Sequence, residues 1–149
     1  MQQLNFPGYE FRIKNSENSR YIFDPIRKKF VLLQPEEWVR QHVIQYLLRD
    51  KKYPRNHLNV EKQIRINDLY KRYDVVVYRV DGSIALLVEC KAPGQKITQD
   101  VFDQIARYNL RLQAGFLMVT NGLDHYFCRM DYDGKRYEFL RELPGYGEN

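Results

Sequence analysis

The spacing of apolar positions changes several times along the chain, and each change predicts an element. Alternation over Tyr9–Lys14 predicts a strand, and the short runs Arg20–Phe23 and Lys29–Leu33 read as two more. Polar Asn15–Ser19 separates the first two, and Asp24-Pro25 starts the turn before the third. From Pro35 the period lengthens. Trp38, Val39, Val43, Ile44, Tyr46, Leu47 and Leu48 recur at helical spacing to about Arg49. Pro35 suits the first helical position, and Glu36-Glu37 suit the positive end of the helix dipole. The mean apolar direction falls near Glu36, so Glu36 is expected to point inward and Glu37 toward solvent. Arg40, one turn later, shares the side of Glu36.

Residues 51–59 read as a loop, and Val60–Ile66 alternates as a strand. Two β-branched runs follow, Tyr73–Arg79 and Ile84–Lys91, on either side of Asp81-Gly82. That dipeptide predicts a two-residue type I′ hairpin with Val80 paired to Ser83. Counting outward sets Asp74 opposite Glu89. Apolar residues occur on both faces of the pair: Val76 and Leu87 on one, Val75, Val77, Leu86 and Val88 on the other. A sheet covered on both sides by helices follows. Thr98 reads as the N-cap of a helix to about Gln113, with Val101, Ile105, Tyr108 and Leu112 at core spacing. Gly115–Thr120, ending at Asn121-Gly122, then Tyr126–Met130 and Tyr137–Leu140, read as strands, and Pro144–Asn149 as a frayed tail. The expectation is one α/β domain over 1–149: a β-rich extension over 1–34, a core over 35–130, and a C-terminal strand and tail over 131–149.

Composition narrows the class. A chain of 149 residues is one domain by length, and 44% hydrophobic with 29% charged residues is ordinary for a soluble globular protein. No apolar run is long enough to cross a membrane, and no secretory pattern opens the chain. Two cysteines, Cys90 and Cys128, both in strand-like runs, predict reduced thiols and a cytoplasmic location. A net charge of +5 biases the protein toward polyanions. The basic clusters, Arg49 to Arg55 and Lys62 to Arg72, are either solvated surface or phosphate contacts. Lys71 and Arg72 are the better contact candidates, because they lead into the strand of Asp74.

The chemistry centres on that strand pair. Opposed residues of an antiparallel pair have Cβ atoms roughly 4.5–5.5 Å apart, so Asp74 and Glu89 repel unless a divalent cation lies between them. Lys91, two residues beyond Glu89, is expected on the same face, roughly 6–7 Å along the strand. Two carboxylates and an ammonium on one face suit metal-assisted phosphodiester hydrolysis; the plain alternative is a structural ion pair. Glu36 either adds a metal contact, holds Arg40 or only compensates the dipole. Gln104 and Tyr108 share a helix face and either position Lys91 or a phosphate, or merely flank the helix. The Cys90 side chain projects to the opposite face, into the core. His42, His57 and His125 lack zinc-ligand spacing. Residues 92–96 lack the pattern of a phosphate-binding loop, although Lys96 remains a candidate DNA contact.

Asp74…Glu89-Cys90-Lys91 resembles the D…(D/E)-x-K core of the restriction-endonuclease-like, or PD-(D/E)xK, nucleases. Tyr73 stands where a proline often precedes the aspartate. Gln104-Ile105-Ala106-Arg107-Tyr108 resembles the Q-x-x-x-Y motif of nuclease domains in type I restriction motor subunits and recombination helicase-nucleases. Glu36…Arg40 resembles the pair on the first helix of the type I group. Over about residues 35–130 the chain resembles the family of the type I restriction enzyme R protein N-terminal domain, as a short single-domain member. The resemblance implies a restriction-endonuclease-like core of helix, three-strand meander, helix and strands, with an N-terminal β meander added. It implies a Mg²⁺-dependent deoxyribonuclease of restriction-modification or DNA repair, with Mn²⁺ as a substitute. Asp74, Glu89, Glu36 and the Cys90 backbone carbonyl would surround the metal, and Lys91, Gln104 and Tyr108 would join them in catalysis. Arg40, Lys71, Arg72 and Lys96 would meet nucleic acid. The implied partners are DNA, a helicase/translocase or methyltransferase subunit, and a second copy on DNA. The competing expectation is a non-catalytic nucleic-acid-binding or partner-dependent subunit on the same fold.

Overall fold

The computed structural model describes residues 1–133 and 135–147. β1 (Ile13–Ser16), β2 (Ser19–Asp24) and β3 (Lys29–Leu32) form an antiparallel sheet. Glu17 and Asn18, both at positive φ, make the tight turn that matches strand twist. β1 begins later than the alternation suggests. Tyr9 and Phe11 instead lay their rings against His42 of α1, at 6.1 and 4.8 Å between centroids. α1 (Pro35–Gln45) continues into one wide π turn over Tyr46–Asp50.

The second sheet has six strands: β4 (Leu58–Ile66), β5 (Leu69–Tyr78), β6 (Ile84–Cys90), β7 (Phe116–Thr120), β8 (His125–Asp131) and β9 (Arg136–Leu140), side by side in that order. Only β6 and β7 run parallel. A parallel pair needs a crossover, and α2 (Gln99–Leu112) supplies it. The Thr98 hydroxyl accepts the Val101 N–H at 3.3 Å, so the expected N-cap forms. Among the described residues no helix is long and apolar enough to cross a membrane.

The helices cover opposite faces. Val39, Val43 and Ile44 of α1, with Leu47 of the π turn, share a core with Val75, Val77, Leu86, Val88 and Cys90. Phe102, Ile105 and Ala106 of α2 share another with Tyr73, Val76, Leu87, Leu117 and Val119. The two-faced apolar pattern of β5 and β6 therefore has its cause in helices on both sides.

The β5–β6 turn differs from the two-residue hairpin expected. Val80, Asp81 and Gly82 form a three-residue loop, closed by Arg79 N–H to Ser83 O at 2.7 Å and Gly82 N–H to Arg79 O at 3.0 Å. Gly82 takes φ 86°, as the residue ending such a loop must. Val80 does not pair with Ser83; it is among the most exposed apolar residues. Tyr78 faces Ile84 but Val77 faces Leu86, so Ala85 is an extra residue bulged from β6. The longer loop and the bulge cancel. Val75 faces Val88, so the count outward from the turn holds as far as that pair.

β4 and β5 form a long hairpin turning at Asn67-Asp68, so Lys71 and Arg72 lie inside a strand rather than before it. The turn at Asn121-Gly122 is tight in another sense. Gly122 has φ 87°, and a Cβ there would lie 2.9 Å from Leu4 and 3.1 Å from Val39. Gly122→Ala is expected to cost more than about 1 kcal/mol, seen as a lower urea midpoint with an unchanged m-value.

Candidate functional site

The β5–β6 ladder runs no further than Val75 opposite Val88. Beyond it, the Asp74 carboxylate replaces the ladder: Oδ2 accepts the Cys90 N–H at 2.7 Å. Asp74 also has no ladder partner on its other side. Val60 faces Val75 and Lys62 faces Tyr73, but Glu61, between them, stands at φ 55°. That left-handed backbone costs a non-glycine residue about 1–3 kcal/mol. It also breaks side-chain alternation, as Asp74 does. Tyr73 and Val76 both pack toward α2, whereas Asp74 turns to α1, where Val75 also packs.

What Asp74 meets there is Arg40. Asp74 Oδ1 accepts from Arg40 Nη2 at 2.8 Å and Nε at 3.2 Å. Arg40 Nη1 donates to Glu37 at 2.7 Å, and Nη2 lies 3.1 Å from Glu61 and 3.5 Å from Glu36. Arg40 is 5% exposed. Burial disfavours its charge, but Asp74 and Glu37 outweigh that and raise its pKa above the ordinary value. Arg40, expected to contact nucleic acid, is therefore an interior counter-ion. Arg27, from the β2–β3 turn, binds Asp24 at 2.7 Å and Glu37 at 2.9 Å, and Gln41 donates to both carboxylates.

Glu36 and Glu37 are placed the other way round from expectation. Glu37 is buried, whereas the Glu36 side chain is 48% exposed. Glu36 sits on the first turn of α1, 3.5 Å from Arg40 Nη2. Glu37 lies on a flank that the N-terminal meander closes with Arg27. Burial and then the nearby Asp74 charge raise the Glu36 pKa, against Arg40 and Lys91.

Glu89 leans the other way, toward α2. Its Oε1 is 3.0 Å from Lys71 Nζ, an ion pair. Lys71 Nζ also sits over the rings of Tyr73 at 5.0 Å and Tyr108 at 4.9 Å. Asp74 and Glu89 thus turn to opposite sides of their strand pair, correcting the single face expected. The cause is the broken alternation at Glu61 and Asp74. The two remain within electrostatic reach. Burial, then the Asp74 charge, raise the Glu89 pKa despite Lys71 and Lys91. The Tyr73 hydroxyl, in a side chain 1% exposed, has no hydrogen-bond partner among the described residues. Burial and Glu89 push its pKa up.

The other expected residues scatter. Lys91 is half-buried; its N–H donates to Thr120 O at 2.8 Å, and its charge acts on both Glu36 and Glu89. Cys90 is buried on the α1 side, and desolvation holds its thiol well above its ordinary pKa. Gln104 is exposed and lines a groove of about 330 Å³ with Leu69, Arg107, Tyr108 and Arg111. Tyr108 contacts Lys71, not the Lys91 expected. Lys71 is occupied by Glu89 and the two rings, while Arg72 and Lys96 are exposed. Sequence reasoning missed Asp24, Arg27, Glu37, Gln41 and Glu61. The Glu37-Arg40-Gln41 spacing of three and four was a legible signal; Glu61 and the two N-terminal residues carried none.

Glu89 offers a test of this electrostatic picture. A raised folded-state pKa contributes stability present below the unfolded value of about 4.3 and lost as pH rises through the folded one. Glu89→Gln is expected to be more stable than the wild type at pH 7 and to lose that advantage below about pH 4 in urea titrations.

Comparison with known proteins gives the family. Residues 35–144 match the family model described as Type I restriction enzyme R protein N terminus (HSDR_N). The chain belongs to this family. Among solved structures, the fold matches a fragment described as an HsdR subunit of a type I restriction enzyme from Vibrio vulnificus YJ016. The TM-score is 0.51 at 20% identity, over 76% of this chain and 24% of that one. The chain thus spans about a quarter of that structure. No curated protein sequence matches. The R-protein N-terminal family therefore accounts for α1 through the last strand, while the meander that supplies Asp24 and Arg27 lies before the matched region.

Proposed function

We propose that this protein is a Mg²⁺-dependent deoxyribonuclease module of restriction-modification type, on a restriction-endonuclease-like core, with its centre at the open end of β5 and β6. The observation that carries the reading is the crowding of carboxylates there. Asp24, Glu36, Glu37, Glu61, Asp74 and Glu89 outnumber Arg27, Arg40, Lys71, Arg72 and Lys91, in a chain whose net charge is +5. Among the described residues no three His, Cys, Asp or Glu side chains are already grouped as for a metal. The donor set nonetheless fits Mg²⁺, which prefers oxygen, keeps several waters and is held by one or two carboxylates plus substrate phosphate. Buried Tyr73 Oη, without a hydrogen-bond partner among the described residues, leaves a polar atom for such waters to meet.

Asp74 and Glu89 would hold the cation, with the Cys90 carbonyl and Glu36 as further oxygen donors. When bound, Mg²⁺ or Mn²⁺ supplies Lewis acidity at a phosphoryl oxygen and a bound water of lowered pKa. Lys91, whose charge acts on both Glu36 and Glu89, would stabilise negative charge on the phosphate. Gln104 and Tyr108 border the approach along α2, and Tyr108 fixes Lys71 beside Glu89. Arg72, Lys96, Arg107 and Arg111 are exposed and meet DNA phosphates. A helicase/translocase or methyltransferase subunit would direct the module, and two copies on DNA would cut both strands.

One observation favours a second reading. Asp74 and Glu89 each already have a protein cation, Arg40 and Lys71. A non-catalytic DNA-binding module would keep both as structural pairs. Supercoiled plasmid separates the two. The nuclease reading predicts nicking that requires Mg²⁺ or Mn²⁺; the binding module predicts salt-sensitive DNA binding without nicking under either metal.

A further inference from the structure

Glu61 is a carboxylate that neither the family resemblance nor the reaction above employs. It occupies an unfavourable left-handed backbone in mid-strand, opposite Asp74 and outside the ladder. Its neighbour Val60 packs toward α1, so regular alternation would turn Glu61 away from that side. The distorted backbone instead brings Glu61 Oε1 to 3.1 Å from Arg40 Nη2.

Arg40 poses a problem for the proposed site. Two of its nitrogens converge on Asp74 Oδ1, while Oδ2 is taken by the Cys90 N–H. A guanidinium pressed against Oδ1 disfavours a divalent cation on the same carboxylate, because the two positive charges repel. Arg40 cannot withdraw into water, since it is buried and anchored through Nη1 to Glu37 at 2.7 Å. It can pivot about that anchor. Glu61 is the carboxylate next to Asp74 on its path, already touching the same Nη2. Arg27 at 3.8 Å and Arg72 at 3.9 Å are its more distant cations, so the contact with Arg40 is the one Glu61 can tighten.

We infer that Glu61 is a positioning residue that takes over the Arg40 guanidinium when Asp74 turns to a divalent cation; this rests on the metal-dependent reading above. Arg40 is the counter-cation that the structure gives Asp74, and Glu61 is where it goes.

Calorimetric titration of the metal-free protein with MnCl₂ tests this. The wild type binds Mn²⁺, and Glu61→Gln binds about 10- to 100-fold more weakly, the size of effect typical of residues that orient a metal ligand. In an Arg40→Met background, Glu61→Gln has no further effect, since there is no guanidinium to draw away. A wild-type measurement stands beside this cycle should Arg40→Met fail to fold: the Arg40 Nε–H NMR resonance shifts on Mg²⁺ addition and shifts less in Glu61→Gln. Wild-type affinity in Glu61→Gln, or an Arg40 resonance unmoved by Mg²⁺ that the protein does bind, overturns the inference alone. A loss that persists in full without Arg40 also overturns it and makes Glu61 a ligand. A wild type that binds no Mn²⁺ overturns the metal-dependent reading itself.

Discussion

Arg40→Met is expected to lower the unfolding free energy by about 3–5 kcal/mol, the cost of leaving buried charges without their partner. In a domain of this size that is a fall of roughly 6–20 °C in thermal midpoint. The size follows from where Arg40 sits. One guanidinium neutralises Glu37 and Asp74 directly, at 2.7 and 2.8 Å, and reaches Glu61 at 3.1 Å. Glu37 keeps Arg27 and Gln41, but Asp74 loses its only cation within 4 Å among the described residues. Adding Asp74→Asn to Arg40→Met should recover part of the loss, because an amide needs no counter-ion. Calorimetric scans of the single and double variants read both effects. An unchanged midpoint in Arg40→Met would mean that the cluster is hydrated rather than interior.

Asp74→Asn is expected to abolish Mg²⁺-dependent nicking, a fall of at least about 10²–10³-fold, while the fold persists. The asparagine carbonyl can still accept from Arg40, or from the Cys90 N–H, so the end of the ladder holds. What disappears is the anionic oxygen for the cation. Lys91→Ala should cost a similar factor through the ammonium while leaving Mn²⁺ binding intact. Rate and affinity, measured separately, distinguish the two roles. Undiminished nicking in Asp74→Asn would discard the assignment.

The parts of this architecture that local pattern controls were legible. The residue types on either side of β5 and β6 encode two covering helices, and α2 announces itself through Thr98 and its spaced apolar residues. The register was reached by two compensating departures. Asp81-Gly82 suggested the shortest loop, the chain took one residue more, and the Ala85 bulge absorbed it. Period-two reasoning failed at Asp74, because alternation holds only while both strands keep extended geometry. Glu61 leaves that geometry, and nothing in a glutamate predicts positive φ. The burial of Glu37 was equally hidden. It depends on Arg27 arriving from a separate sheet, a contact between residues 10 positions apart across two elements. Arg40 illustrates the general difficulty: a helix-surface arginine and an interior one look alike until the neighbouring layer is known.

Anomalous diffraction from a crystal soaked in Mn²⁺ is the most direct test of the central claim. The account predicts a manganese peak bonded to both Asp74 and Glu89, with Arg40 drawn from Asp74 toward Glu61 and Glu89 released from Lys71. Saturating Mn²⁺ with no peak between those carboxylates, each still paired with its own cation, would contradict it.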